Sequence, residues 1–213
     1  MSARKLALLG AESTGKSQLS QELAGHLRAQ GLRVAVVGEV LREWCAREGR
    51  APRPEEQMPI AQEQERRVDA AAADHDIVIA DTTALMVAIY GGMLFEDGEL
   101  HLFALERQRG YDATLLTGLD LPWVADGLQR DGPHAREPVD RLVREALARA
   151  GVHYQVVYGS GPARLAGALD ALARLGVAGA AVGRSVARGK PWVWNCEKCS
   201  DPDCEHRLFS RLK

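Results

Sequence analysis

The 213-residue sequence predicts an α/β fold in which a parallel sheet carries helices on both faces. Three observations lead there. Short apolar runs recur at Lys5–Leu9, Arg33–Val37, Asp76–Ala80, Asp112–Thr117 and Tyr154–Tyr158. Between them lie segments whose leucines, valines and alanines return at helical spacing, so strands alternate with helices. A hydrophobic share of 46% with 26% charged residues supplies a core and disfavours both disordered and membrane classes.

The first run, Lys5-Leu6-Ala7-Leu8-Leu9, ends in Gly10-Ala11-Glu12-Ser13-Thr14-Gly15-Lys16-Ser17, and Leu19, Leu23 and Leu27 then mark a helix up to Gly31. Strand, glycine loop and helix in that order form a physical device for binding phosphate. The glycines let successive backbone N–H groups turn inward, Lys16 adds a point charge, and the Ser17 hydroxyl suits Mg²⁺. The helix that follows aims its N-terminus at the anion. Gly10, Glu12, Ser13, Thr14, Gly15, Lys16 and Ser17 are therefore expected to bind a nucleoside triphosphate.

In a parallel sheet, ligands collect at the carboxyl ends of the strands. After the second strand stand Gly38-Glu39-Val40-Leu41-Arg42-Glu43-Trp44. Glu39 is placed either to take a proton from a substrate hydroxyl or to favour the positive end of a helix, with Arg42 as its partner. The third strand ends in Asp81-Thr82. An acid there suits Mg²⁺ beside Ser17, and it equally suits a helix cap.

The segment from Leu119 to Arg136 holds two prolines, two glycines, Trp123 and little periodicity, and reads as a lid. Arg130 and Arg136 are expected to close over the transferred phosphoryl group, because guanidinium forks stabilise the charge that builds there. Trp123 offers a flat face for an aromatic ring. Pro138 is expected to start a helix with Val139, Leu142, Val143, Ala146, Leu147 and Ala150 on one stripe. Pro162 starts another, with Leu165, Leu169 and Leu172 buried and Gly176 at its end.

These residues resemble the ribosylnicotinamide kinase domain of NadR-type proteins. The likeness runs from about Lys5 to Leu175. It is carried by the loop at Gly10–Ser17, by Glu39-x-x-Arg42-Glu43, and by the stretch Glu65 to Ala71 before a strand ending Asp81-Thr82. Its narrowest part is Tyr111-Asp112-Ala113-Thr114-Leu115-Leu116, followed by Pro122-Trp123-Val124-Ala125-Asp126-Gly127-Leu128. The sequence departs from the pattern at Ala125, Gln129 and Thr83, where an acid, an arginine and an acid are usual.

The resemblance implies a P-loop kinase-like fold, a five-stranded parallel sheet of order 2-3-1-4-5, and transfer of the ATP γ-phosphate to the 5′-hydroxyl of nicotinamide riboside, a step in NAD biosynthesis. It implies that Trp123 helps stack the nicotinamide, that Asp81 or Glu39 handles the ribosyl hydroxyls and Mg²⁺, and that a lid arginine reaches the phosphates; Glu39, Arg42, Asp81, Trp123 and Asp126 are the expected substrate-binding residues. Lys16, Glu39, Asp81, Arg130 and Arg136 are the expected catalytic set, with Ser17 and Asp81 on Mg²⁺. A different small acceptor and a regulatory ATP-binding switch are the alternatives; the guanine motif N-K-x-D of a GTPase is absent.

The expected organisation is a kinase-like domain over 1–176, a glycine- and alanine-rich linker over 177–191, and a Cys-rich tail over 192–213. In the tail, Cys196, Cys199, Cys204 and His206 offer three sulfurs and one imidazole, a possible tetrahedral Zn²⁺ set or simply reduced thiols. Residues 184–213 hold seven Lys/Arg against four Asp/Glu although the whole chain carries −2, so the tail is a candidate contact for a protein partner. The overall charge argues against a broad nucleic-acid surface. No signal peptide or membrane span is read in the sequence, and a cytoplasmic location is expected.

Overall fold

The structure is a computed structural model that describes residues 2–92, 98–124 and 132–177. Five strands, β1 (Arg4–Leu9), β2 (Val34–Val37), β3 (Ile77–Asp81), β4 (Ala113–Thr117) and β5 (Gln155–Val157), form one sheet. Its order is β2-β3-β1-β4-β5 and every pairing is parallel. The expected P-loop kinase-like arrangement is the one observed. β1 lies in the middle, hydrogen-bonded on both sides, which is why its last four residues are all buried.

Side chains of a strand alternate between faces, and the core divides accordingly. Leu6 and Leu8 of β1 pack with Ile77, Ile79 and Leu115 against α1 (Lys16–Ala29) and α7 (Gly161–Arg174). Leu9 and Leu116 face the opposite layer, built from α2 (Val40–Glu48), α3 (Pro54–Ala72), α4 (Ala84–Gly92), α5 (Gly98–Gln108) and α6 (Arg136–Ala150). Each fully buried leucine or isoleucine in these layers stabilises the fold by about 1.5–3 kcal/mol relative to exposure.

Two helices differ from expectation in informative ways. α6 begins at Arg136, two residues before Pro138, because a 3-10 turn over Pro133–Ala135 leads into it. Pro138 then sits in the first turn, where a missing N–H breaks no helical bond. In α7 the buried stripe is Arg164, Ala168, Leu169, Ala171 and Leu172, while Leu165 is only partly buried. The helix is thus rotated so that an arginine, not a leucine, opens its inner face. Gly176 ends α7 as expected, with φ +81° and the Val177 N–H bonded to the Leu172 carbonyl at 3.0 Å. Val177 itself, assigned from sequence to the linker, is buried against the α1–α7 layer. Among the described residues no helix is long and apolar enough to cross a membrane.

Candidate active site

The loop from Gly10 to Ser17 joins β1 to α1 and is shaped by backbone that few residues adopt. Gly10, Ser13 and Gly15 have φ of +145°, +54° and +72°. Glycine supplies two of these at no steric cost. At Gly10 there is also no room: an added Cβ would lie 2.1 Å from Thr117 Oγ1. Thr117, the last residue of β4, braces the loop from below. Its Oγ1 lies 3.1 Å from the Leu9 carbonyl and 2.7 Å from Thr14 Oγ1, and Thr14 Oγ1 donates to the Ala11 carbonyl at 2.8 Å. Lys16 is buried, with Nζ donating to the carbonyls of Gly10 at 2.9 Å and Ala11 at 2.8 Å. Its ammonium is therefore held inside the curl of the loop.

Asp81 stands at the same end of the sheet. β3 pairs with β1 so that Asp81 is level with Leu8, two residues before the first loop glycine. The carboxylate is 4% exposed, and its Oδ1 has no hydrogen-bond partner among the described residues. A buried carboxylate oxygen left unsatisfied is costly, and a divalent ion is a fitting partner for it. The neighbouring Thr82 has φ +73°, held by its N–H bond to the Leu8 carbonyl at 3.0 Å. Thr83 is buried and its hydroxyl donates to Gln108, so at that position the chain holds a structural hydrogen bond.

Glu39 is the residue before α2, and its carboxylate makes no cap bond there. It pairs with Arg42 at 2.8 Å, and Arg42 also donates to Ser17 Oγ at 3.2 Å. The Glu39–Arg42 pair expected from the sequence is therefore linked through Ser17 to the phosphate loop. The turn that presents Glu39 is fixed by Gln64 of α3, whose amide accepts from the Val40 N–H at 2.9 Å and donates to the Gly38 carbonyl at 3.2 Å. Glu65, next to it, is buried and accepts from the Ala84 N–H at 2.9 Å and from the Tyr111 hydroxyl at 3.1 Å. Burial first, and then the Glu65 carboxylate beside it, push the Tyr111 hydroxyl well above its ordinary pKa.

The loop after β4 lies on the phosphate loop. The Val124 N–H donates to Ser13 Oγ at 2.8 Å, and Ser13 Oγ lies 3.1 Å from the Val124 carbonyl. Trp123, half-buried, is the residue before this contact, and its indole N–H has no partner among the described residues. Arg136 was expected over the transferred group; instead it is buried and donates to the carbonyls of Leu121 at 2.8 Å and Leu119 at 3.3 Å. Two nitrogens committed to these carbonyls make it the brace of this loop. Asp126 and Arg130 lie outside the described residues, as do Cys196, Cys199, Cys204 and His206 of the tail, the set expected to suit Zn²⁺. Among the described residues no group of three or more His, Cys, Asp or Glu is arranged to hold a metal.

Two residues of the site escaped the sequence reading. Thr117 was detectable, being a polar residue at the carboxyl end of an apolar strand, as Asp81 is. Arg164, whose Nη2 donates to the Thr14 carbonyl at 2.6 Å, sits 150 residues from its partner.

A family model described as AAA domain matches residues 5–164, three quarters of the chain. The chain belongs to the AAA domain family. The match begins in β1 and ends at Arg164, so this AAA domain contains every described site residue named above. No curated protein matches its sequence. Among solved structures, the NadR protein in complex with NAD and AMP-PNP superimposes with a TM-score of 0.65 at 17% identity, over 82% of this chain and 50% of that one. NadR in complex with NR gives 0.65 at 16% identity, over 81% and 50%. Thymidylate kinase from Ehrlichia chaffeensis gives 0.52 at 13% identity, over 76% and 89%. The AAA domain chain thus spans about half the length of the NadR chains and shares with all three their fold.

Proposed function

We propose that the chain is an ATP- and Mg²⁺-dependent kinase that phosphorylates a hydroxyl of a small nucleoside-like molecule, with nicotinamide riboside as the first acceptor to test. The observation that carries this reading is the pairing of a pre-shaped phosphate loop with a buried, incompletely bonded Asp81 at the adjacent strand end. The resemblance to NadR, whose solved complexes hold AMP-PNP in one case and NR in another, supports the choice of acceptor.

In this reading the loop N–H groups and Lys16 hold the terminal phosphates, and Ser17 and Asp81 hold Mg²⁺. The ion supplies charge neutralisation on the phosphate oxygens. Glu39, steadied by Arg42, orients the acceptor hydroxyl or takes its proton. Trp123 stacks on the acceptor ring, and Asp126 and Arg130 act from the lid. Arg136 acts through the loop it braces. Catalysis in such a site is mostly positioning and charge stabilisation.

The test is a thermal-shift screen with Mg²⁺ and AMP-PNP, followed by phosphate-transfer assays with ATP and a panel of nucleosides including nicotinamide riboside. A ligand that binds the native state raises the melting temperature by mass action. Lys16→Ala should abolish transfer while leaving the circular dichroism spectrum intact; unchanged turnover would refute the assignment. Hydrolysis of ATP indifferent to every acceptor would favour a switch over a kinase.

A further inference from the structure

Arg164 occupies a position that ordinary folding energetics disfavours. It lies in the first turn of α7, where the helix dipole is positive and a cation is repelled. It is 4% exposed. Its polar partners are two main-chain carbonyls, Thr14 at 2.6 Å through Nη2 and Gly159 at 3.4 Å through Nη1, and its Nε has none among the described residues. Asp120 and Glu22 are the carboxylates that act on it, yet neither is within ion-pairing distance; the Asp120 carboxylate is engaged by the Gly159 N–H at 2.6 Å. Burial accordingly draws the guanidinium below its ordinary pKa. A buried charge that is poorly compensated is destabilising, and among the described residues no carboxylate pairs with this one, so an anion nearby would stabilise it.

The geometry points to where. A Cβ placed on Gly15 would lie 3.3 Å from Arg164 Nη1 and 3.2 Å from Leu121 Cδ1. The guanidinium therefore seats directly against the turn that precedes Lys16. We infer that Arg164 is a positioning residue for polyphosphate, pinning the Thr14–Gly15 turn in its binding shape and lending a second buried positive charge beneath the site. Both effects act on the phosphates and not on the base or the acceptor. The inference rests on the nucleotide reading of the loop.

The test compares the unaltered chain with Arg164→Met and Arg164→Lys, using calorimetric binding of Mg²⁺·AMP-PNP, thermal melting without ligand, and hydrogen exchange across residues 10–17. Arg164→Met removes the charge at similar volume. It should leave the ligand-free melting temperature unchanged or higher, speed exchange in the loop, and weaken AMP-PNP at least tenfold. Arg164→Lys, which keeps the charge but not the fork, should recover part of the affinity while the loop still exchanges faster. In phosphate transfer, KM for ATP should rise in Arg164→Met while KM for the acceptor stays put. AMP-PNP affinity within twofold of the unaltered chain, or an affinity loss matched by a fall in ligand-free melting temperature in both variants, overturns the inference and leaves the nucleotide reading standing. Failure of the unaltered chain to bind AMP-PNP overturns both.

Discussion

Gly10 is the position where the geometry of the loop can be tested most sharply. A methyl group there would collide with Thr117 Oγ1 at 2.1 Å and crowd the Thr117 carbonyl and Thr14 Oγ1, each at 3.2 Å. Overpacking of this kind costs about 1–3 kcal/mol. The φ of +145° adds a backbone penalty on the order of 1–3 kcal/mol for any residue with a side chain. Gly10→Ala should thus destabilise the chain by roughly 2–6 kcal/mol, a large part of the 5–15 kcal/mol typical of a domain. Thr117→Ala alone removes the contacts of its hydroxyl to the Leu9 carbonyl and Thr14, and should cost about 1–3 kcal/mol. In the double variant the collision with Oγ1 is gone while the backbone penalty remains. Urea unfolding of the four proteins gives the coupling directly, and it should be about 1–3 kcal/mol in the rescuing direction. Strict additivity would refute the reasoning, because it would mean that contact with Thr117 is not what excludes a side chain at Gly10.

Asp81→Asn should keep the fold and raise the Mg²⁺ concentration needed for half-maximal turnover at least tenfold; an unchanged Mg²⁺ profile would remove Asp81 from the metal role. Ser13→Ala cuts both contacts to Val124, so hydrogen exchange over 119–124 should quicken while the strands stay protected. Glu56, bonded by Arg50 and the Arg53 N–H, and Glu63, bonded by Arg66 and Arg67, are each held at a pKa of about 2, well below the usual 4.5. Carboxylates depressed in the folded state contribute stability that is present above about pH 4.5 and is lost as pH falls toward about 2. Melting temperature should therefore decline across that window, and Glu63→Gln should flatten the decline.

The strands were legible because central parallel strands are apolar on both faces and need no alternation to be seen; their order came only with the family resemblance. The phosphate loop was legible because each of its residue types answers a local requirement: left-handed backbone, a cation, a hydroxyl. Asp81 was legible as the acid that closes an apolar run. What stayed hidden depends on tertiary geometry. Arg136 reads as a free lid arginine until the carbonyls of Leu119 and Leu121 are brought to it. Arg164 reads as a surface residue because periodicity favours Leu165 for the inner face. A cation at the start of a helix was the one local hint, since it opposes the dipole.

The sheet order distributes resilience unevenly around the site. The loop's own strand, β1, lies in the middle, whereas β2 and β5 are the margins. Glu39 and Arg42 follow one margin, and Gly159 and Arg164 follow the other. Edge elements of a sheet commonly open locally at a fraction of the energy of global unfolding. In the proposed function, the groups following one margin are thus expected to loosen separately from those following the other, by heat or by distant substitution, while the centre of the sheet stays closed.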